Sequence, residues 1–130
     1  MSTSSIFEHS DAIISIDARG FIFGAAIAIK FAKPMVLARK PNKLPGRVLQ
    51  KSYQLEYGVN PLSIQESAIA NFQSFVIVDD LLATGGTVKC VSDMLSEAGK
   101  DILGLSIVVE LTSLNGKSNF YFPVESQITF

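Results

Sequence analysis

The sequence predicts an α/β fold, with a central, mainly parallel sheet flanked by helices. Short apolar, β-rich runs recur at Ala12–Ile16, Met35–Ala38, Phe75–Val78 and Ile102–Leu111. Helical patterns stand between them, at Phe21–Phe31 and Thr87–Ala98. Strands that alternate with helices of this length build βαβ units.

Each element has its own warrant. Ala12–Ile16 ends at Asp17-Ala18-Arg19-Gly20. The helix that follows is apolar nearly all round, with Gly24, Ala25 and Ala28 allowing close approach, so it reads as buried. Pro34 breaks that pattern and Met35–Ala38 resumes as a second strand. From Arg39 to Asn60 the chain turns basic, punctuated by Pro and Gly and weakly periodic, and it reads as a long loop. Arg39, Lys40, Lys43, Arg47 and Lys51 place five of the eleven basic residues there, beside Tyr53 and Tyr57. Such a run expects an anionic visitor or a solvated surface. Leu62–Ile64 is a short strand candidate. Phe75–Val78 is a continuous apolar run of the kind found in a buried parallel strand. Thr87–Ala98 sets Val88, Val91, Leu95 and Ala98 on one face, and Gly99 supplies the stop.

Composition narrows the function. With 130 residues, 48% of them hydrophobic and 18% charged, the chain fits one ordered domain over residues 1–130. A net charge of −1 gives no field for non-specific nucleic-acid binding. Cys90 is the single cysteine, so no internal disulfide forms, and it reads as a buried, inert thiol. His9 has no partner at metal-ligand spacing and reads as structural or exposed. The longest apolar stretch, Gly20–Ile29, falls short of the roughly 20 residues of a membrane span. The N-terminal residues lack the features of a signal peptide. The expectation is a soluble cytoplasmic protein without nucleic-acid or membrane partners.

The chemistry concentrates between Phe75 and Thr87. A buried strand ends in two carboxylates, Asp79 and Asp80, and Leu-Leu-Ala-Thr-Gly-Gly-Thr then opens a helix. Ligands of open α/β sheets bind at the carboxyl ends of strands. A small-residue loop at a helix N-terminus offers free N–H groups and the positive dipole end to a phosphate. Gly85 and Gly86 let the backbone come close, and Thr84 and Thr87 can donate hydroxyl bonds. Ionised aspartates accept only, which suits the 2′- and 3′-hydroxyls of a ribose. A phosphate cradle beside diol acceptors suggests a ribose 5-phosphate. Taken alone, a short Gly-rich turn is no more than a capped turn. The Gly-x4-Gly-Lys-Ser/Thr and Gly-x-Gly-x-x-Gly patterns are absent. A phosphoacceptor receiver would leave Ala83-Thr84-Gly85-Gly86-Thr87 unexplained.

Val76-Ile77-Val78-Asp79-Asp80-Leu81-Leu82-Ala83-Thr84-Gly85-Gly86-Thr87 resembles the phosphoribosyl pyrophosphate motif of the type I phosphoribosyltransferases, in the adenine phosphoribosyltransferase form. Further segments match in order. Asp17–Gly24 resembles the family's pyrophosphate loop, and Arg39–Gly46 the start of its mobile catalytic loop. Ser52–Gly58 resembles the far arm of that loop, and Glu110–Leu114 a segment near the base site.

The resemblance implies a reaction of adenine with phosphoribosyl pyrophosphate that yields AMP and pyrophosphate. The alternatives are transfer to another purine base, or a non-catalytic module that binds phosphoribosyl pyrophosphate or a nucleotide. By the same resemblance, Asp79 and Asp80 would hold the ribose hydroxyls, and Ala83, Thr84, Gly85, Gly86 and Thr87 the 5-phosphate. Arg19 and the backbone at Ala18 would meet the pyrophosphate, with Arg39, Lys40 and Lys43. Glu56 would protonate or support the base, Tyr57 would close with the loop, and Leu111 would pack on the base. The implied cofactor is Mg²⁺, held mainly through the substrate with no dedicated protein ligands. A cis peptide between Asp17 and Ala18 and a homodimer are implied as well. The family carries an N-terminal segment that hoods the base, whereas eleven residues precede Ala12 here. The expectation is a core domain without that hood, binding the sugar substrate and turning adenine over slowly or not at all.

Overall fold

The computed structural model describes residues 5–17, 19–40, 46–55, 58–83 and 85–130. Among them, seven strands form one sheet: β1 (Ala12–Ile16), β2 (Met35–Arg39), β3 (Val48–Leu55), β4 (Gly58–Gln65), β5 (Ser74–Leu82), β6 (Asp101–Glu110) and β7 (Val124–Thr129). Their spatial order is β3-β4-β2-β1-β5-β6-β7. The run from β2 to β7 is parallel throughout, while β4 pairs antiparallel with both β2 and β3. Helices α1 (Ser5–His9), α2 (Gly20–Phe31), α3 (Glu66–Ile69) and α4 (Gly86–Glu97) accompany it. The expected α/β fold is the observed one.

Alternation along the central strands supplies a core to each face. On β5, Phe75 and Ile77 join the larger core with Val88, Val91 and Leu95 of α4, whereas Val76 and Val78 join a smaller one with Ile27 and Ala28 of α2. Phe7 of α1 is fully buried in the smaller core and stacks on Phe31, ring centroids 5.2 Å apart. This packs α1 beside the C-terminal end of α2, at the end of the sheet away from the strands' carboxyl ends. Cys90 is buried, as expected, and His9 is exposed.

Three expectations change. The long loop predicted from Arg39 to Asn60 contains most of the β3–β4 hairpin, paired from Val48↔Gln65 to Leu55↔Gly58. Pro61 lies within β4, beyond the last described pair with β2, Arg39↔Ser63, so no described ladder bond on that edge needs an N–H there. Helix α2 is not buried all round, since Ile22 is 71% and Ile29 82% exposed. Its main contacts are with β1, β5 and β2, and Ile22 and Ile29 lie on the side turned away from them. The half-exposed strand β7 has no continuous apolar run to announce it. It is held to β6 by its ladder and by Phe130 N–H donating to Glu110 O at 2.9 Å.

Gly24 shows how closely α2 lies on the sheet. A methyl group built there collides with Ser15 Oγ, which is buried on β1. Alanine is the better helix former by about 1 kcal/mol, but overpacking of this kind costs about 1–3 kcal/mol. Gly24→Ala is therefore expected to destabilise the fold by up to about 2 kcal/mol. Urea unfolding checks this, and a gain in stability would show that α2 can lift from the sheet.

Candidate active site

In the strand order, β1 lies between β2 and β5. The chain leaves β1 for β2 on one side and later returns through β5 on the other. The loops after β1 and β5 therefore diverge and leave a crevice at the strands' carboxyl ends, where ligands of open α/β sheets bind. Asp17, Arg19 and Gly20 stand on one wall, and Asp79 to Thr87 on the other.

The walls touch through charge. Arg19 Nε lies 2.9 Å from Asp80 Oδ2, with the arginine side chain 77% exposed and the aspartate 20%. A pair this wet is worth at most about 1 kcal/mol and gives way readily to a better partner. Asp79 is buried, and its Oδ1 accepts a bond from Asp80 N–H at 2.8 Å. Gly20 faces it, and a Cβ there would stand 3.0 Å from Asp79 Oδ1 and 3.1 Å from Val78 O. The helix can begin this close to β5 only with glycine at that position.

Burial pushes the Asp79 carboxyl up to about 8, and the charge of Asp80 adds to the rise. The Asp80 N–H bond and the Arg19 charge act in the opposite direction. Burial thus favours the protonated form of Asp79 in the ligand-free crevice. A protonated acid donates one bond as well as accepting.

The acids do not end the strand as expected: β5 runs on, paired with β6, to Leu82, and the chain then turns into α4 through Gly85, at φ +91°. Glycine adopts this left-handed conformation without strain. Gly85 has no side chain to cap the helix, and the first-turn N–H groups have no intrahelical partners at the crevice. Gly86 and Thr87 occupy that turn, and Ala83 is half-buried beside it. On the other flank, Arg39 and Lys40 end β2 next to Asp17. Leu111 follows β6 and ties its N–H to Leu82 O at 2.9 Å, which sets it beside the start of the glycine-rich turn. Of the expected site residues, Arg19, Arg39, Lys40, Asp79, Asp80, Ala83, Gly85, Gly86, Thr87 and Leu111 thus gather around the carboxyl ends of β1, β2, β5 and β6. Ala18 (with its peptide bond to Asp17), Lys43, Glu56, Tyr57 and Thr84 lie outside the described residues.

An open apolar groove of about 480 Å³ adjoins the Arg19–Asp80 pair, lined also by Ile22, Phe23, Leu81, Val108 and Val109. Sequence reasoning missed it, because reading α2 as wholly buried hid Ile22. Among the described residues, no cluster of three or more His, Cys, Asp or Glu side chains could hold a metal, and no helix is long and apolar enough to cross a membrane.

Residues 2–124 match the phosphoribosyl transferase domain family. The whole chain is 70% identical to the adenine phosphoribosyltransferase of Prochlorococcus marinus strain MIT 9211, and it covers 76% of that relative. The chain belongs to the adenine phosphoribosyltransferase family. Solved structures agree with this membership. The adenine phosphoribosyltransferase of Thermoanaerobacter pseudethanolicus superposes with a TM-score of 0.88 at 39% identity, covering 93% of this chain and 71% of that one. The Saccharomyces cerevisiae adenine phosphoribosyltransferase, complexed with an imino-altritol bisphosphate and adenine, gives a TM-score of 0.86 at 34% identity, covering 91% and 67%. The sheet with its flanking helices is the type I phosphoribosyltransferase fold.

The raised Asp79 carboxyl makes stability depend on pH. Below about pH 4 the acid is protonated both in the unfolded chain, at its ordinary value of 3.8, and in the folded protein. Between there and about 8, only the unfolded chain ionises, so stability falls as pH rises and levels off above that. Asp79→Asn keeps an oxygen for the Asp80 N–H and removes the titration. It is expected to be more stable than wild type by about 1–3 kcal/mol at pH 8, with the gain vanishing toward pH 4. Thermal unfolding across that range checks this, and a difference independent of pH would contradict it.

Proposed function

We propose that this protein transfers the phosphoribosyl group of phosphoribosyl pyrophosphate to adenine, forming AMP and releasing pyrophosphate. The observation that carries the proposal is the meeting, at one switch point, of a phosphate-binding helix start, two strand-end acids and an arginine. In this reading, α4's first turn, with Ala83, Thr84, Gly85, Gly86 and Thr87, binds the 5-phosphate. Asp80 accepts from one ribose hydroxyl, and the protonated Asp79 can donate to or accept from the other. Arg19 exchanges Asp80 for the pyrophosphate, assisted by the Ala18 backbone, Arg39, Lys40 and Lys43.

The bond from the anomeric carbon to the pyrophosphate oxygen breaks as the bond to the adenine nitrogen forms. Negative charge grows on the leaving group, and the arginines and lysines meet it there. Glu56 is the group proposed to protonate or support the base, Tyr57 to close over it and Leu111 to pack against it. Mg²⁺ would be held mainly by the substrate's own oxygens, with Asp80 the ionised acid nearest to it once Arg19 has moved to the pyrophosphate. When bound, it would neutralise charge on the leaving pyrophosphate.

We take residues 1–130 as one domain acting in the cytoplasm, where its charged substrates are found. We also propose a homodimer formed through the uncovered face of α2, since Ile22 and Ile29 stand exposed two turns apart on that helix. Ile29→Lys is expected to shift the protein toward monomer in analytical ultracentrifugation, and an unchanged dimer would move the interface elsewhere.

The reaction is tested by pyrophosphate release with adenine, guanine and hypoxanthine side by side. Adenine is expected to be the preferred base, and turnover with guanine or hypoxanthine alone would reassign the specificity. Asp80→Asn is expected to weaken phosphoribosyl pyrophosphate binding about tenfold while the fold persists. Unchanged affinity in calorimetry with Mg²⁺ present would remove Asp80 from the site.

A further inference from the structure

Asp17 ends β1 and has no role in the reaction as proposed above. Its N–H donates to Ala38 O at 2.9 Å, which holds the ends of β1 and β2 level. The side chain is only 8% exposed. Its Oδ2 accepts from Lys40 N–H at 3.3 Å and lies 3.6 Å from Arg39 Nε. That nitrogen is buried and makes no hydrogen bond among the described residues, so the Asp17 carboxylate is the charge that faces it. The Arg39 guanidinium also lies over the Phe21 ring in the first turn of α2, 5.9 Å from its centroid. Asp17 thus joins the loop after β1, the end of β2 and the start of α2.

A carboxylate in this place works against the attraction of an anion. It repels an approaching pyrophosphate, and keeping it out of water is costly unless its partners compensate. Its contribution is therefore geometric. We propose that Asp17 is a positioning residue for the leaving group. Its carboxylate fixes Arg39 and the backbone at Lys40 against the loop after β1, so that both flanks of the pyrophosphate site keep one register. This inference rests on the proposed reaction, in which Arg39 and Lys40 meet the pyrophosphate.

Charge and geometry predict opposite signs. If Asp17 acted by its charge, removing it would tighten pyrophosphate binding. If it positions Arg39 and Lys40, removing it weakens that binding. Calorimetry with inorganic pyrophosphate and with AMP, both in Mg²⁺, separates the two. AMP lacks the pyrophosphate, so it reports on the ribose-phosphate and base contacts alone.

Asp17→Ala is expected to bind pyrophosphate about tenfold more weakly, with AMP affinity kept within about twofold. The KM for phosphoribosyl pyrophosphate should rise in proportion, while the KM for adenine stays unchanged. Asp17→Asn keeps an acceptor for Lys40 N–H but loses the ion pair, and a loss of about threefold is expected. This near-isosteric variant decides the matter if the alanine variant fails to fold. Unchanged or tighter pyrophosphate binding overturns the inference, as does an equal loss of AMP and pyrophosphate. Wild-type protein that binds neither ligand overturns the proposed reaction, and this inference with it.

Discussion

The pairing of β1 with β2 on one edge and β5 on the other constrains everything near the crevice. Parallel strands put their carboxyl ends at one end of the sheet, and the reversal of winding at β1 parts the loops that leave it. The same pairing presses the start of α2 onto β5. Gly20 is needed because Asp79 and Val78 O occupy the space of its side chain, and Gly24 because Ser15 does. Two glycines in a helix are unfavourable by propensity. Tertiary contact overrides that preference, and the gain is an arginine loop brought within ion-pair distance of the acids on β5.

The charges in the crevice differ mainly in how much water they keep. Arg19 and Asp80 stay wet, so their pairing is weak and a multiply charged ligand can replace it at little cost. Asp79 is shielded, and burial favours its neutral form over a buried charge. Asp17 and Arg39 are drier than Arg19 and remain together. An exchangeable pair thus stands at the centre of the site, with a more buried pair at its flank. Such an arrangement suits a ligand that must be both gripped and released.

What the sequence made legible were the features with short-range signals. β1, β2, β5, β6, α2 and α4 announce themselves by apolar runs, helical spacing and stop residues, and their observed bounds lie close to those expected except at β5, which continues past Val78 through Asp79 and Asp80 to Leu82 because β6 goes on pairing with it. Asp79, Asp80 and the turn through Gly85 were legible because one strand–turn–helix segment carries them all. The β3–β4 hairpin was hidden because Pro61 is acceptable only where no ladder bond needs an N–H, which is a fact of tertiary pairing. Strand β7 was hidden because half-exposed edge strands need no apolar run. The exposed side of α2 could not be inferred from its composition. Apolarity tells which residues can be buried, whereas exposure depends on where the second layer stops. The Asp17–Arg39 contact joins two strand ends that only the sheet brings together. The proton on Asp79 depends on burial, which no local motif encodes.

The two adjacent acids stand in different surroundings despite their identical chemistry. Alternation along β5 turns Asp79 toward the interior and leaves Asp80 facing Arg19. A neutral acid can donate a hydrogen bond, while the acid held in an ion pair accepts. A vicinal diol in which each hydroxyl both donates and accepts is matched better by such a mixed pair than by two carboxylates. Two charged acids side by side would also repel one another and attract the nearby arginine more strongly, which would make its release to a leaving group harder. Burying one acid of the pair removes that competition, and the strand's own pleat is enough to do it.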